Sequence, residues 1–226
     1  MDHNTIKDFE DLGKKYFSVP GHRRLRSIKR VLTQEGIHGR ENSIVNLLDK
    51  HASIVDAGCG GNPFKTIFPN LIAFDMVDYG NQDFVCSILE APIQENSQDV
   101  VLCFGVLHEC PDEYHKPNIV KMLSWLKPDG QLIMKCKKTK VIKKHPGGGK
   151  KRKILQEYGI YFDQGLWPQE RINQFTNDLN LKINFLRPIL ITRKQQLNGD
   201  NNPIFNSKYA DDIMFDGYVW SWSKND

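Results

Sequence analysis

A glycine turn and an acidic residue about 20 positions later are the residues best suited to chemistry in this sequence. The turn ends an apolar run and contains Asp56, Gly58 and Gly60. Because glycine lacks a Cβ atom, a ligand can approach the backbone N–H groups of such a turn closely. A second apolar run ends at Asp75, nineteen residues after Asp56, which is the spacing used to bind ribose hydroxyls. Together they indicate a nucleoside-containing cofactor.

The residue after the turn distinguishes a dinucleotide from other nucleoside cofactors. A dinucleotide motif has a third glycine where Pro63 stands, and proline has no N–H group to offer to a pyrophosphate. Asp56 is also a poor neighbour for a pyrophosphate, whereas it suits a positively charged ligand. A strand that ends in acid-x-Gly-x-Gly resembles the first motif of the class I S-adenosylmethionine-dependent methyltransferases, whose cofactor carries an ammonium and a sulfonium.

This resemblance implies roles for the residues of the first two strands. Asp56 would lie below the methionine moiety of the cofactor, and Gly58 and Gly60 would give that moiety room. Asp75 would accept hydrogen bonds from both ribose hydroxyls, because a carboxylate has acceptor geometry that suits a diol. The alternative for Asp75 is a solvated acid at a strand end.

The next two strands carry the remaining candidate residues. Ser87 stands where the family often has an acid that binds the adenine amino group, and Ile88 is expected against the adenine face. A strand that runs through Phe104 into Val-Leu-His-Glu resembles a stretch found in many small-molecule members of the family. Phe104 is therefore expected at the cofactor, and His108 and Glu109 are expected on the substrate side. His108 is either a base for an attacking hydroxyl or amine or a helix-start residue that shapes the pocket.

The elements that must position these residues alternate between strand and helix from residue 54 onward. Seven candidate strands are predicted, at residues 53–56, 71–74, 83–86, 100–104, 131–135, 181–185 and 218–222. Helical periodicity is present at residues 118–126 and again after Pro168. The predicted fold is α/β, a seven-stranded, mostly parallel, doubly wound sheet with an antiparallel last strand and helices on both faces.

The predicted domain organisation is a short helical N-terminal extension or lid at residues 1–45, followed by a methyltransferase domain at residues 46–226. Within that domain, residues 135–153 form a basic loop that contains ten Lys or Arg and no acid. Residues 23–30 contribute a second basic cluster of five, although the formal net charge of the chain is only +4. Concentrated positive charge attracts phosphate.

Three functions follow from these features. The Val-Leu-His stretch favours S-adenosylmethionine-dependent transfer of a methyl group to an O or N nucleophile of a small molecule. The two basic clusters favour an RNA methyltransferase instead, and the sequence Gly-Cys-Gly-x-Asn-Pro at residues 58–63 resembles the first motif of the ribosomal RNA methyltransferases that confer aminoglycoside resistance. A non-catalytic binding module on the same fold is the third hypothesis, which the intact cofactor positions disfavour.

The remaining composition favours a reduced environment without a metal. The five cysteines are odd in number and form no C-x-x-C pair, so we expect buried free thiols and no zinc site. No apolar run of about 18 residues is present, so no membrane span is predicted. The first residues lack the pattern of a signal peptide, and a cytoplasmic location is therefore expected.

Overall fold

The computed structural model describes residues 48–110, 112–137, 167–192 and 213–225. These residues form seven strands: β1 Ile54–Ala57, β2 Ile72–Asp75, β3 Phe84–Val85, β4 Gln98–Phe104, β5 Leu126–Lys137, β6 Leu181–Thr192 and β7 Ile213–Lys224. They also form two α-helices, α1 His115–Trp125 and α2 Gln169–Asp178, and three 3₁₀ helices at Pro63–Thr66, Leu107–Glu109 and Asp112–Tyr114.

The strands form one seven-stranded sheet in the order β3-β2-β1-β4-β5-β7-β6. The pairs β1 with β2, β1 with β4, β2 with β3 and β4 with β5 are parallel. Strand β7 runs antiparallel to both β5 and β6. The chain order reverses between β1 and β4, and ligands of open α/β sheets bind at such a switch point. The predicted sheet, mostly parallel with an antiparallel end, is confirmed.

Two apolar layers cover the two faces of the sheet, because neighbouring residues of a strand point to opposite sides. One layer combines alternate strand residues with the inner faces of both α-helices: Val55, Val101, Leu132, Ile119 and Ile172. The opposite layer packs strand residues against the segment that follows β1: Ile54, Leu102, Ile133, Phe64 and Phe68. The central strands are therefore buried on both sides, as parallel strands require.

The observed elements differ from the predicted ones mainly in length. The segment after the glycine turn is a single 3₁₀ turn at Pro63–Thr66, since Pro63 fits a first helical position but the segment then turns into β2. Residues 127–130 lie inside β5 at an irregularity, where the partner of β4 changes from Leu126 to Gln131. The antiparallel strands β6 and β7 each extend well beyond the predicted five residues.

Two predicted features lie outside the described residues. These are the helical extension at residues 1–45 and all but the first residues of the basic loop at 135–153, so the domain division remains a prediction. Within the described part of the chain, no helix has the length and apolar character needed to cross a membrane.

Candidate active site

The carboxyl ends of β1, β2 and β4 meet at one edge of the sheet and bring most of the predicted site residues together. Register places Asp56 beside Ala73 of β2 and beside Leu102 of β4. At this edge β1 continues into the glycine turn, and β2 ends at Asp75. The loop after β4 leaves at the same edge and carries His108. This is the crevice in which α/β sheets bind nucleotide ligands.

The glycine turn is held in place by contacts with β2 and with the loop after β4. The N–H groups of Gly58 and Cys59 both donate to the Phe74 carbonyl, at 2.9 and 3.0 Å. Gly58 has φ of 76°, and a Cβ atom added there would lie 2.3 Å from Cγ2 of Val106. Only glycine fits this position, because any side chain would overlap the loop that follows β4.

Asp75 closes the turn from the β2 side. Its carboxylate is 2 % exposed, and Oδ2 accepts a hydrogen bond from the N–H of Gly60 at 2.9 Å. Oδ1 accepts one from Val77 at 3.1 Å. The acid predicted to bind ribose therefore contacts the glycine turn directly.

A pair of asparagines joins the turn to the loop after β2. Nδ2 of Asn62 donates to the carbonyl of Asn81 at 2.6 Å, and Nδ2 of Asn81 donates to the carbonyl of Gly61 at 2.7 Å. Asn62 has φ of 50° and ψ of 52°, a left-handed conformation that asparagine tolerates better than most residues. Its place at the 3₁₀ helix start explains why Asn-Pro follows the glycines.

The expected adenine side is formed by the segment after β3. Ser87 and Ile88 are both buried, and the Ser87 hydroxyl lies 3.3 Å from Oε2 of Glu90. Glu90 supplies a carboxylate three residues after the position where the family often has one, which the sequence analysis missed. Phe104 packs edge-on against Phe64 with ring centroids 5.9 Å apart, and so contacts the segment that leaves the glycine turn.

His108 lies in the 3₁₀ helix Leu107–Glu109, directly after β4. The imidazole is buried, with 4 % exposure, and a Cβ atom at Gly105 would lie 3.5 Å from its Cε1. His108 therefore stands at the carboxyl end of β4, as predicted. The backbone of Glu109 continues this helix, whereas its side chain lies outside the described part of the structure.

A buried network around His115 holds the turn that carries His108. Nε2 of His115 lies 2.7 Å from the Leu107 carbonyl and 3.1 Å from the Cys110 carbonyl. Nδ1 lies 2.8 Å from Nη2 of Arg171 in α2. Burial lowers the pKa of His115 to about 4, and the Arg171 charge lowers it in the same direction. His115 and the aromatic Trp167 also stack, with ring centroids 5.1 Å apart.

The sequence did not reveal this network, because its members are far apart in the chain. His115 and Arg171 are separated by 56 positions, and no local pattern connects them. The complete burial of His115 assigns it to the interior of the protein. The sequence indicated only the helical periodicity of apolar residues after Pro168, which predicts that α2 packs against the sheet.

Comparison with known proteins agrees with this fold. Residues 55–134 match the family model described as methyltransferase domain, a range that begins within β1 and ends within β5. No relative is found among curated protein sequences.

Solved structures with the same fold include three enzymes. The first is 1,6-didemethyltoxoflavin-N1-methyltransferase from Burkholderia thailandensis, with TM-score 0.62, 12% identity and coverage of 97% of this chain and 90% of that one. Magnesium protoporphyrin IX methyltransferase from Synechocystis PCC 6803 has a TM-score of 0.56 and 15% identity, and the match covers 95% of this chain and 97% of that one. Geranyl diphosphate C-methyltransferase from Streptomyces coelicolor A3(2) has a TM-score of 0.56 and 13% identity, and the match covers 93% of this chain and 89% of that one. The first two were crystallised with bound S-adenosylhomocysteine and S-adenosylmethionine, respectively.

The sheet order, the glycine turn and the family match together define the class of protein. The chain has the class I methyltransferase fold, and its residues 55–134 match a methyltransferase domain. It is therefore an enzyme whose cofactor is S-adenosylmethionine, and the hypothesis of a non-catalytic binding module is not supported.

Proposed function

We propose that this enzyme transfers the methyl group of S-adenosylmethionine to an O or N nucleophile of a small molecule. The observation that carries the proposal is the buried turn after β4, where His108 stands beside Gly105 and Val106 packs against Gly58. This arrangement supports the proposal because, with the cofactor bound at the glycine turn, His108 would be a proton acceptor near its methionine end. An acceptor that reaches an enclosed position of this kind has to be small or has to present a narrow group.

The residues around the turn fit S-adenosylmethionine. Gly58 and Gly60 both have positive φ and present backbone without side chains, and the methionine moiety would lie against this backbone, above Asp56 and next to the Val106 side chain that packs beside Gly58. Asp75 would hold the ribose, because its buried carboxylate lies at the end of β2 and already contacts the glycine turn through the N–H of Gly60. When bound, the cofactor supplies a methyl group activated by its sulfonium.

The adenine would lie near the segment after β3 and near Phe104. Ile88 offers an apolar surface, and Ser87 with Glu90 offers oxygen atoms within one turn that suit the adenine amino group. An acidic group near this amino group is common in the family, and Glu90 would take that part here.

The chain itself would contribute mainly alignment to the reaction. Holding a nucleophile in line with the methyl group lowers the barrier without any covalent step. His108 would take the proton that the nucleophile releases, and Glu109 is the second candidate from the same turn. Both roles require the acceptor to enter beside the 3₁₀ helix Leu107–Glu109.

Methyl transfer to mixed acceptor pools tests this function. The enzyme is incubated with S-adenosylmethionine that carries a tritiated methyl group, together with separate pools of phenols, amines, hydroxylated heterocycles and total RNA. We expect tritium in a small-molecule pool, and a His108→Gln variant that binds the cofactor normally but labels that pool at least tenfold more slowly. Tritium in the RNA pool alone would contradict the proposal.

An RNA acceptor is the second candidate, and it rests on the basic clusters at residues 23–30 and 135–153 of the sequence. Binding that depends on phosphate contacts weakens steeply as salt rises, by a factor set by the number of contacts. A titration of fluorescent RNA at several salt concentrations separates the candidates. Tight, strongly salt-dependent binding favours RNA, whereas weak binding at low salt favours the small molecule.

A further inference from the structure

We propose that His115 and Arg171 are positioning residues that fix the turn carrying His108. The position of α2, which carries Arg171, then determines the geometry of the substrate side of the site. The proposal rests on the proposed function only in assigning His108 to the substrate side. His115 and Arg171 belong neither to the glycine turn nor to the Val-Leu-His-Glu stretch. The proposal follows from the hydrogen bonds around the buried imidazole of His115.

The hydrogen bonds of His115 determine its tautomer. Arg171 is permanently charged and has only donors, so Nδ1 of His115 must accept from Nη2 of Arg171 across their 2.8 Å contact. The proton of the neutral ring then lies on Nε2. That N–H points to the carbonyls of Leu107 and Cys110, at 2.7 and 3.1 Å.

These two carbonyls lie on either side of His108. One donor shared between them fixes both ends of the 3₁₀ helix Leu107–Glu109 to the first residue of α1. In the opposite tautomer Nε2 would be an acceptor facing two acceptors, and the turn would lose this contact. The guanidinium of Arg171 therefore selects the ring form that can hold the turn.

Arg171 is itself restrained by contacts that leave it little freedom. Its Nη1 pairs with the Asp112 carboxylate at 3.1 Å. Its Cζ lies 5.2 Å from the ring centroid of Trp167 and 5.8 Å from that of Phe175, within the range of cation–π attraction. Because α2 packs in the same apolar layer as α1, the position of α2 is transmitted through Arg171 and His115 to the turn.

The turn is connected to the cofactor side as well. The N–H of Gly105 donates to the Lys135 carbonyl at 2.9 Å, and Val106 fills the space beside Gly58. A turn fixed at Gly105 by β5 and at Leu107 and Cys110 by His115 keeps Val106 against the glycine turn. The two halves of the site are thus aligned with each other by this one segment.

Imidazole nitrogen spectra of the ¹⁵N-histidine-labelled protein test the proposal without any acceptor. For the wild-type protein near neutral pH we expect His115 as a single neutral ring with its proton on Nε2. In Arg171→Met we expect a mixture of tautomers and a changed His108 signal, and Arg171→Lys, which keeps a donor near Nδ1, should restore most of the Nε2–H form. Asp112→Asn is the control, since it removes the exposed partner of Arg171 and leaves the contact with His115.

The mobility of the turn is followed through the Cys110 thiol, which is buried in the wild-type protein. Labelling by a thiol reagent should become at least tenfold faster in Arg171→Met and stay within about twofold of wild type in Asp112→Asn. Equal spectra and equal labelling rates in Arg171→Met and wild type would overturn the proposal. Should Arg171→Met not fold, a wild-type His115 that carries its proton on Nδ1, or is charged, overturns it equally.

Calorimetry with S-adenosylmethionine keeps this proposal separate from the proposed function. We expect the wild-type and Arg171→Met proteins to bind the cofactor within about threefold of each other, since Arg171 acts on His115 and the turn after β4. A wild-type protein that does not bind the cofactor would reject the proposed function, whereas the imidazole and thiol results would still decide the role of His115.

Discussion

The two halves of the site are built in opposite ways. The cofactor half, from β1 to β3, is held by backbone conformation and by residues less than 25 positions apart, such as Gly60 and Asp75. The acceptor half, after β4, is held by side chains from two helices, with His115 and Arg171 separated by 56 positions. A site of local backbone contacts can be recognised in a sequence, whereas a site of distant side-chain contacts requires the fold.

The halves also differ in what could replace their residues. At Gly58 both the backbone conformation and the available space require glycine. At His115 the requirement is chemical, because one ring must accept at Nδ1 and donate at Nε2. We therefore expect substitutions in the cofactor half to act by steric overlap and those in the acceptor half to act by loss of hydrogen bonds.

Gly58→Ala should have the largest effect. A left-handed conformation costs an L-residue about 1–2 kcal/mol, and overpacking against Val106 adds about 1–3 kcal/mol. We expect the free energy of unfolding, measured by urea denaturation, to fall by roughly 3 kcal/mol, and cofactor affinity to fall with it.

Gly80→Ala is the matched control for this comparison. Gly80 has φ of 81° but no atom within 4 Å of an added Cβ, so only the backbone cost of about 1 kcal/mol applies. Val106→Ala combined with Gly58→Ala should recover part of the lost stability. Equal destabilisation at Gly58 and Gly80 would show that the contact between the two halves does not matter.

The acceptor half should make the stability of the protein depend on pH through His115. The pKa of His115 is lowered from 6.5 to about 4 in the folded protein, so the unfolded chain binds a proton between these values and the folded protein does not. The contribution of His115 to the free energy of unfolding is therefore complete above pH 6.5 and declines as the pH falls towards 4. The loss is on the order of 3 kcal/mol.

Urea denaturation of the wild-type protein and His115→Gln between pH 7 and pH 4 measures this contribution. Glutamine can donate to the Leu107 carbonyl but does not titrate, so the variant should be less stable at pH 7 and lose less stability on acidification. Parallel pH profiles for the two proteins would mean that His115 is not held neutral by its surroundings.

Asn62→Gly should have the smallest effect. Glycine keeps the left-handed conformation without strain, so the variant removes the hydrogen bond from Nδ2 of Asn62 to the Asn81 carbonyl. Loss of such a hydrogen bond costs about 1 kcal/mol, which thermal unfolding can detect. Asn81→Ala removes the other bond of the pair, from Nδ2 of Asn81 to the Gly61 carbonyl, and should cost a similar amount. A clear difference between the two variants would assign another role to one residue.

The sequence predicted the cofactor half better than the acceptor half for a physical reason. Strands with apolar runs, positive-φ glycines and a strand-end acid each leave a local pattern, and Asp56, Gly58, Gly60 and Asp75 lie together at one edge as predicted. The partners that hold the His108 turn leave none, because their contacts form only when α1 and α2 pack on the same face.

Asp75 is the residue through which the central claim is tested most directly. The claim is that S-adenosylmethionine binds at the glycine turn with its ribose on this carboxylate. Asp75→Asn keeps the shape of the side chain but removes its charge and one of its two acceptor oxygens. Asp78→Asn is the matched control, because Asp78 is exposed and its carboxylate accepts a hydrogen bond from the Gly80 N–H of its own loop at 2.8 Å.

Titration calorimetry of S-adenosylmethionine into these two variants and the wild-type protein is the decisive measurement. We expect the dissociation constant to rise at least tenfold in Asp75→Asn, about 1.4 kcal/mol, and to stay within about twofold of wild type in Asp78→Asn. Thermal unfolding confirms that both variants are folded. Wild-type affinity in a folded Asp75→Asn protein would contradict the assignment of the cofactor site.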